Sequence, residues 1–232
     1  GPITPSHSGG SFETVGGLQV FNTGGTKSGE QHEIPWWTGN YWDEYTNIGY
    51  VDLGAATGDL LCTLESFTIE TYFRLPENAQ SDRVGQQIWF FADQISPDNS
   101  VWMNTREYQF VTHITAQEPV DETVAATWEE ADAVRSNGTW HHLVVSKGGG
   151  TATVYQDGEV VASGASTRLT TDFAAGTFTV NQLGAPCYPA GVYDQGLFDT
   201  DFYNFAIYDE ALNAAQVKDL YQNGPIAKLR SE

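Results

Sequence analysis

The residues best suited to hold a ligand lie in one short stretch, Ile34-Pro-Trp-Trp-Thr-Gly-Asn-Tyr-Trp-Asp-Glu-Tyr45. Trp36, Trp37, Tyr41, Trp42 and Tyr45 place five aromatic rings there. Such rings can carry the apolar C–H face of a sugar, while Asn40 and Asp43 (with Glu44) accept its hydroxyl hydrogens. Small-ligand sites combine apolar walls with a few polar groups in this way. Gly39 and Asn40 read as a turn inside the stretch. The same rings would also serve to cover one end of a core, or to anchor a protein partner. The residues alone leave these readings open.

Covalent chemistry finds less support. Retaining glycoside hydrolysis needs two carboxyl groups about 5 Å apart, which on a strand means alternate residues. Glu118-Pro-Val-Asp-Glu122 is interrupted by Pro119, Glu129-Glu-Ala-Asp132 alternates wrongly, and Glu65 and Glu70 fall on opposite faces. Asp43 and Glu44 have no partner that the sequence identifies. His141 and His142 are neighbours, so on a strand their rings point apart. No G-x-S-x-G elbow, P-loop or G-x-G-x-x-G is present. Asn137-Gly-Thr139 is a glycosylation sequon. The two cysteines, Cys62 and Cys187, are too few for a disulfide framework. They could form one bridge in an oxidising compartment or be two buried thiols.

Composition bounds the partners. With 10 Lys and Arg against 30 Asp and Glu, the net charge is -20. Nucleic-acid backbones and anionic membrane surfaces are therefore poor partners. No run of roughly 18 apolar residues exists, so no segment reads as inserting in a membrane. A 40% hydrophobic content with seven Trp suffices for a core. The chain opens Gly-Pro rather than Met, which reads as a processed or recombinant piece from which any export signal would be gone.

The elements that position these residues are mostly strands. Residues 1–10, rich in Gly, Pro and Ser, read as a linker or disordered terminus. Phe67–Phe73 alternates strictly: Phe67, Ile69, Thr71 and Phe73 on one face, Thr68, Glu70 and Tyr72 on the other. Gln87–Ala92 reads as a strand buried on both faces, and Tyr108–Ile114 as another. Thr139–Ser146, Thr151–Tyr155 and Glu159–Ala162 form a meander whose second turn is Asp157-Gly158, a type I′ signal. Phe178–Val180 and Phe202–Tyr208 complete the strands. One helix follows Asn213, with Gln216 closing a capping box and Gly224-Pro225 as the stop.

Three segments carry a family resemblance. Phe202-Tyr-Asn-Phe-Ala-Ile-Tyr-Asp-Glu-Ala-Leu-Asn213 resembles the closing strand and helix of laminin-G-like, concanavalin A-like domains. Gly138-Thr-Trp-His-His-Leu-Val-Val-Ser-Lys147 with Ala152–Val161 resembles their W-H hairpin, and Tyr50–Gly54 with Phe67–Phe73 their opening strands. The matches keep the family's order over roughly residues 48–224, and they are closest to bacterial secreted and surface versions. The resemblance implies an all-β, two-sheet antiparallel jelly-roll sandwich with one short C-terminal helix, filling 11–232 as one domain. It also implies a structural Ca2+ near the last strand. Asn204 stands where the family often has Asp, with Asp199 and Asp201 close by as further candidate ligands; a neutral amide would weaken the site.

Together these features lead to an expected function: noncatalytic carbohydrate binding by an extracellular, cell-surface or periplasmic protein. The candidate sugar site is Trp36, Trp37, Asn40, Tyr41, Trp42 and Asp43, and the partner a glycan or polysaccharide. The alternatives are a glycoside hydrolase of the same fold and a protein-binding adhesion module.

Overall fold

The computed structural model describes residues 6–27, 31–33, 40–42, 45–46, 48–76, 87–93, 99–104, 110–114, 122–125, 138–184, 197 and 199–227. Two seven-stranded antiparallel sheets face each other. The first runs, in spatial order, β1 (Ser6–Ser8), β8 (Tyr50–Asp52), β17 (Val180–Leu183), β10 (Gln87–Ala92), β11 (Asn99–Asn104), β12 (Phe110–Ile114) and β13 (Glu122–Val124). The second runs β16 (Glu159–Ala165), β15 (Thr151–Gln156), β14 (His141–Gly148), β9 (Phe67–Arg74), β18 (Asp201–Tyr208), β3 (Leu18–Asn22) and β2 (Ser11–Val15). This is the jelly-roll sandwich expected from the sequence.

Alternation builds the core. Phe67, Ile69 and Phe73 of β9, with Leu143 and Val145 of β14, point inward. They meet Trp89 and Phe91 of β10 and Val101 and Met103 of β11. Burying one large apolar side chain contributes roughly 1.5–3 kcal/mol, so this shared interior is what holds the sheets face to face. The β15–β16 turn is the expected type I′, with φ of 52° at Asp157 and 83° at Gly158.

The opposite face of β9, carrying Glu70, Tyr72 and Arg74, points away from the partner sheet. Helix α2 (Ala214–Asn223) covers one end of it, Val217 packing on Val144, Tyr155 and Leu212. The helix starts as the sequence requires. Asn213 Oδ1 accepts from the Ala215 and Gln216 amides at 3.0 and 3.1 Å, and Gln216 Oε1 accepts from the Asn213 amide.

Two expectations need correcting. The C-terminal helix is not the single one, because α1 (Ala55–Leu61) follows β8. Its sequence hides it: Gly54 opens it and Gly58 interrupts it, both poor helix residues. Gly58 is there for contact, since a Cβ would lie 2.5 Å from Asn181 Oδ1 and 2.8 Å from Phe178 Cβ. The second correction concerns the terminus. Ser6–Ser8 is a strand of the first sheet, paired with Tyr50–Asp52, where a linker was expected.

The aromatic stretch belongs to a segment with its own pairing. Strand β4 (Thr26–Lys27) pairs with β7 (Tyr45–Thr46), and β5 (Gln31–Glu33) with β6 (Asn40–Trp42). These two short pairings are separate from the two large sheets.

Candidate functional site

At the end of the second sheet away from α2, the outward face opens on a cavity of about 370 Å3. It is lined by Glu13, Asn22, Arg74, Gly138, Asp199 and Asp201, with Leu75 and Pro76. Strand pairing makes this arrangement: Asp201 of β18 sits between Arg74 of β9 and Asn22 of β3. Three positions remote in sequence become neighbours on one face.

Asp201 organises the group. Its Oδ2 accepts from Arg74 Nε at 2.7 Å, with Arg74 Nη2 at 2.5 Å from the same oxygen. Its Oδ1 accepts from Asn22 Nδ2 at 2.9 Å. Asn22 Nδ2 also donates to Asp199 Oδ1 at 3.1 Å, and its Oδ1 accepts the Gly24 amide at 2.7 Å. Arg74 lies 5.2 Å over the Trp140 ring, a cation–π contact. The outer Nη1 edge of Arg74 and the second carboxylate oxygen of Asp199 have no protein partner among the described residues. Glu13 is exposed and, among the described residues, accepts only from Ser11, at 3.3 Å. The cleft therefore offers oriented donors and acceptors whose supports are already fixed.

The candidate metal ligands divide. Asp199 and Asp201 come together on Asn22, whereas Asn204 stands apart on a bulge of β18 at φ 55°. The Asn204 carbonyl accepts from Thr71 Oγ1 at 2.9 Å. Calcium wants six to eight oxygens. Here one carboxylate is saturated by a guanidinium and an amide, and a fixed cation already sits beside it. Among the described residues, the trio as arranged does not offer the oxygens Ca2+ needs. No group of three or more His, Cys, Asp or Glu among the described residues is placed to hold a metal.

The candidate sugar residues Trp36, Trp37 and Asp43 lie outside the described residues, as do Glu44 and Cys187. Asn40, Tyr41 and Trp42 form β6. Cys62 is buried, and burial, reinforced by Asp59, pushes its thiol up to about 11. It is an unreactive thiol at neutral pH.

Two further acids are committed to the fold. Glu70 is buried under α2, where Oε1 contacts His142 Nε2 at 3.0 Å and Oε2 accepts from Tyr208. Burial pushes its carboxyl up, but the bonds from His142, Tyr208 and Tyr72 outweigh that and hold it below the usual value. Tyr72 stacks on the His142 ring at 4.4 Å. Glu122 accepts from Thr167 and from the Arg168 amide, tying β13 to the loop after β16. Beside it, Lys147 is buried and donates to the Ser166 carbonyl at 2.6 Å. The rings of His141 and His142 engage different partners, Asp157 and Glu70, so the pair does not share a metal.

The sequence marked Asp199 and Asp201 but missed Glu13, Asn22, Arg74 and Trp140. A usable signal was Arg74, one of only 10 Lys and Arg, at the end of an outward-facing register.

A family model described as "Concanavalin A-like lectin/glucanases superfamily", of laminin G type, matches residues 46–218. Among solved structures, domain 4 of AbnA, an extracellular GH43 arabinanase from Geobacillus stearothermophilus in complex with arabinotriose, is similar. It has a TM-score of 0.53 at 17% identity, covering 94% of this chain and 88% of that one. The botulinum neurotoxin serotype G binding domain aligns with a TM-score of 0.58 at 14% identity. There the alignment covers 95% of this chain but 47% of the toxin domain, about half its length. At these identities the likeness is one of fold. No curated protein sequence matches the chain.

Proposed function

The chain belongs to the concanavalin A-like lectin/glucanase superfamily, and from that premise we propose that it is a noncatalytic glycan-binding domain of an extracellular protein. The observation that carries the reading is the polar cleft. Its Asn22, Arg74 and Asp201 hold one another in place, while a guanidinium edge and two carboxylates are left for a ligand. A sugar hydroxyl both donates and accepts, so neighbouring hydroxyls can bridge the Arg74 edge to Asp199 or Glu13. Preorganised polar groups reduce the ordering cost of binding. Its volume falls within the roughly 300–1,000 Å3 of small-ligand sites.

The aromatic stretch supports the same reading. Thr26, the first residue of the short pairings, follows the cleft residue Asn22 by four positions. A span of about 14 Å is the most that four residues can cover, so Thr26 lies no farther than that from Asn22. We assign Trp36, Trp37, Asn40, Tyr41, Trp42 and Asp43 the role of a stacking platform for the glycan. The solved complex of the similar arabinanase domain with arabinotriose supports a carbohydrate as the ligand class.

The test is a glycan array covering neutral and acidic saccharides, followed by calorimetric titration of the best ligand. Wild type binds saturably, and Arg74→Ala and the pair Trp36→Ala/Trp42→Ala each weaken binding at least about tenfold, the loss of one good contact. Silence across the array defeats the proposal. Unchanged affinity in the Trp pair removes the platform role alone.

A further inference from the structure

We infer that the cleft selects uncharged glycans and rejects those bearing carboxylate or sulfate groups, a specificity that rests on the glycan-binding reading above. Among the described residues, the cleft wall carries three carboxylates, Glu13, Asp199 and Asp201, against one guanidinium, Arg74. The Arg74 charge is already matched by Asp201 at 2.5–2.7 Å. What a ligand meets is therefore the surplus from Glu13 and Asp199, both on exposed positions at the rim.

The geometry decides the sign. A free arginine would attract a uronate or sulfate bidentately. Arg74 is less able to do so, because Asp201 already takes its Nε–H and one Nη2–H, leaving its charge paired, and its plane lies over Trp140. The outer edge of the guanidinium is left, and an anion there would share one cavity of about 370 Å3 with Glu13 and Asp199, neither paired with a cation among the described residues. A hydroxyl suffers no such repulsion and can donate to either acid. Two like unit charges on the wall of one small cleft disfavour an anion on the order of tenfold in affinity at low salt. The protein's net charge of -20 adds to this at longer range.

The probes are the neutral oligosaccharide identified on the array and the same oligosaccharide oxidised at C6 to the uronate. Wild type should prefer the neutral form by about tenfold or more at 50 mM salt. The double variant Glu13→Gln/Asp199→Asn keeps oxygen acceptors at both positions and should shrink that ratio about tenfold. Raising the salt to about 1 M, where the Debye length is about 3 Å, should shrink the wild-type ratio and leave the variant's unchanged. Equal affinity for the two forms, a preference for the uronate, or a ratio insensitive to both salt and substitution overturns the inference while glycan binding stands. Absence of binding to any glycan removes the function and the inference together.

Discussion

Arg74 and Asp201, 127 positions apart in the chain, meet on adjacent strands with Nε 2.7 Å from Oδ2. Asp201 is buried, whereas the Arg74 side chain is 34% exposed. The pair does two things at once: it neutralises a buried carboxylate, and it aims a guanidinium edge at the cleft.

Removing Arg74 therefore has two readouts. Breaking a fully buried ion pair costs about 3–5 kcal/mol, and partial exposure of the arginine lowers this to about 1–3 kcal/mol here. Arg74→Ala should unfold at correspondingly lower urea and lose glycan affinity. Asp201→Asn should also loosen Asn22, which donates to it at 2.9 Å. Full stability in both variants would show that the pair does not organise the cleft.

Lys147 gives a stability signal in alkali. Burial pushes its ammonium down from the ordinary 10.5 to about 8, against the opposing pull of Glu122 and Asp172. Between those values the unfolded chain holds more protons than the folded one, so stability rises with pH across that window. Below about 8 the folded chain carries a charged, buried lysine at a cost. Urea unfolding from pH 7 to 10.5 should show wild type gaining on Lys147→Met as pH rises. Parallel curves for the two proteins would contradict this account of Lys147.

Glu70 works in the opposite direction. Its carboxyl is held below the usual value of 4.5, by the His142, Tyr208 and Tyr72 bonds that outweigh burial. Its contribution is complete above about pH 4.5 and is lost as pH falls through the depressed folded value. Glu70→Gln should cost about 1.5–3 kcal/mol at pH 7, as for a buried hydrogen bond to a charged group. It should also flatten the acid limb of the stability curve. An acid limb identical to wild type would show that another carboxylate governs acid unfolding.

Legibility in the sequence followed the range of the forces involved. The alternation of Phe67–Phe73, the Asp157-Gly158 turn and the Asn213–Gln216 capping box are local, and each forms as read. The α1 helix was hidden because Gly58 is kept for its close approach to Asn181 and Phe178, a tertiary demand that overrides propensity. Ser6–Ser8 looked like a linker because a polar edge strand carries no hydrophobic pattern; its pairing with Tyr50–Asp52 is what makes it a strand. The cleft was half legible. Asp199 and Asp201 stood out through their place before the last strand, but Asn22 and Arg74 join them only through the register of β3, β18 and β9. No local pattern encodes that meeting. The aromatic stretch was visible at once because five rings in a short run need no tertiary information to stand out.

The most direct measurement of the central claim is a nuclear magnetic resonance titration of the labelled protein with the best neutral oligosaccharide from the array. Glycan binding in the cleft predicts saturable shifts of the Arg74 Nε–H, the Asn22 side-chain amide and the Trp140 indole N–H, all with one affinity, while the His142 ring under α2 stays still. Saturable shifts elsewhere, with those three groups unmoved, would contradict it.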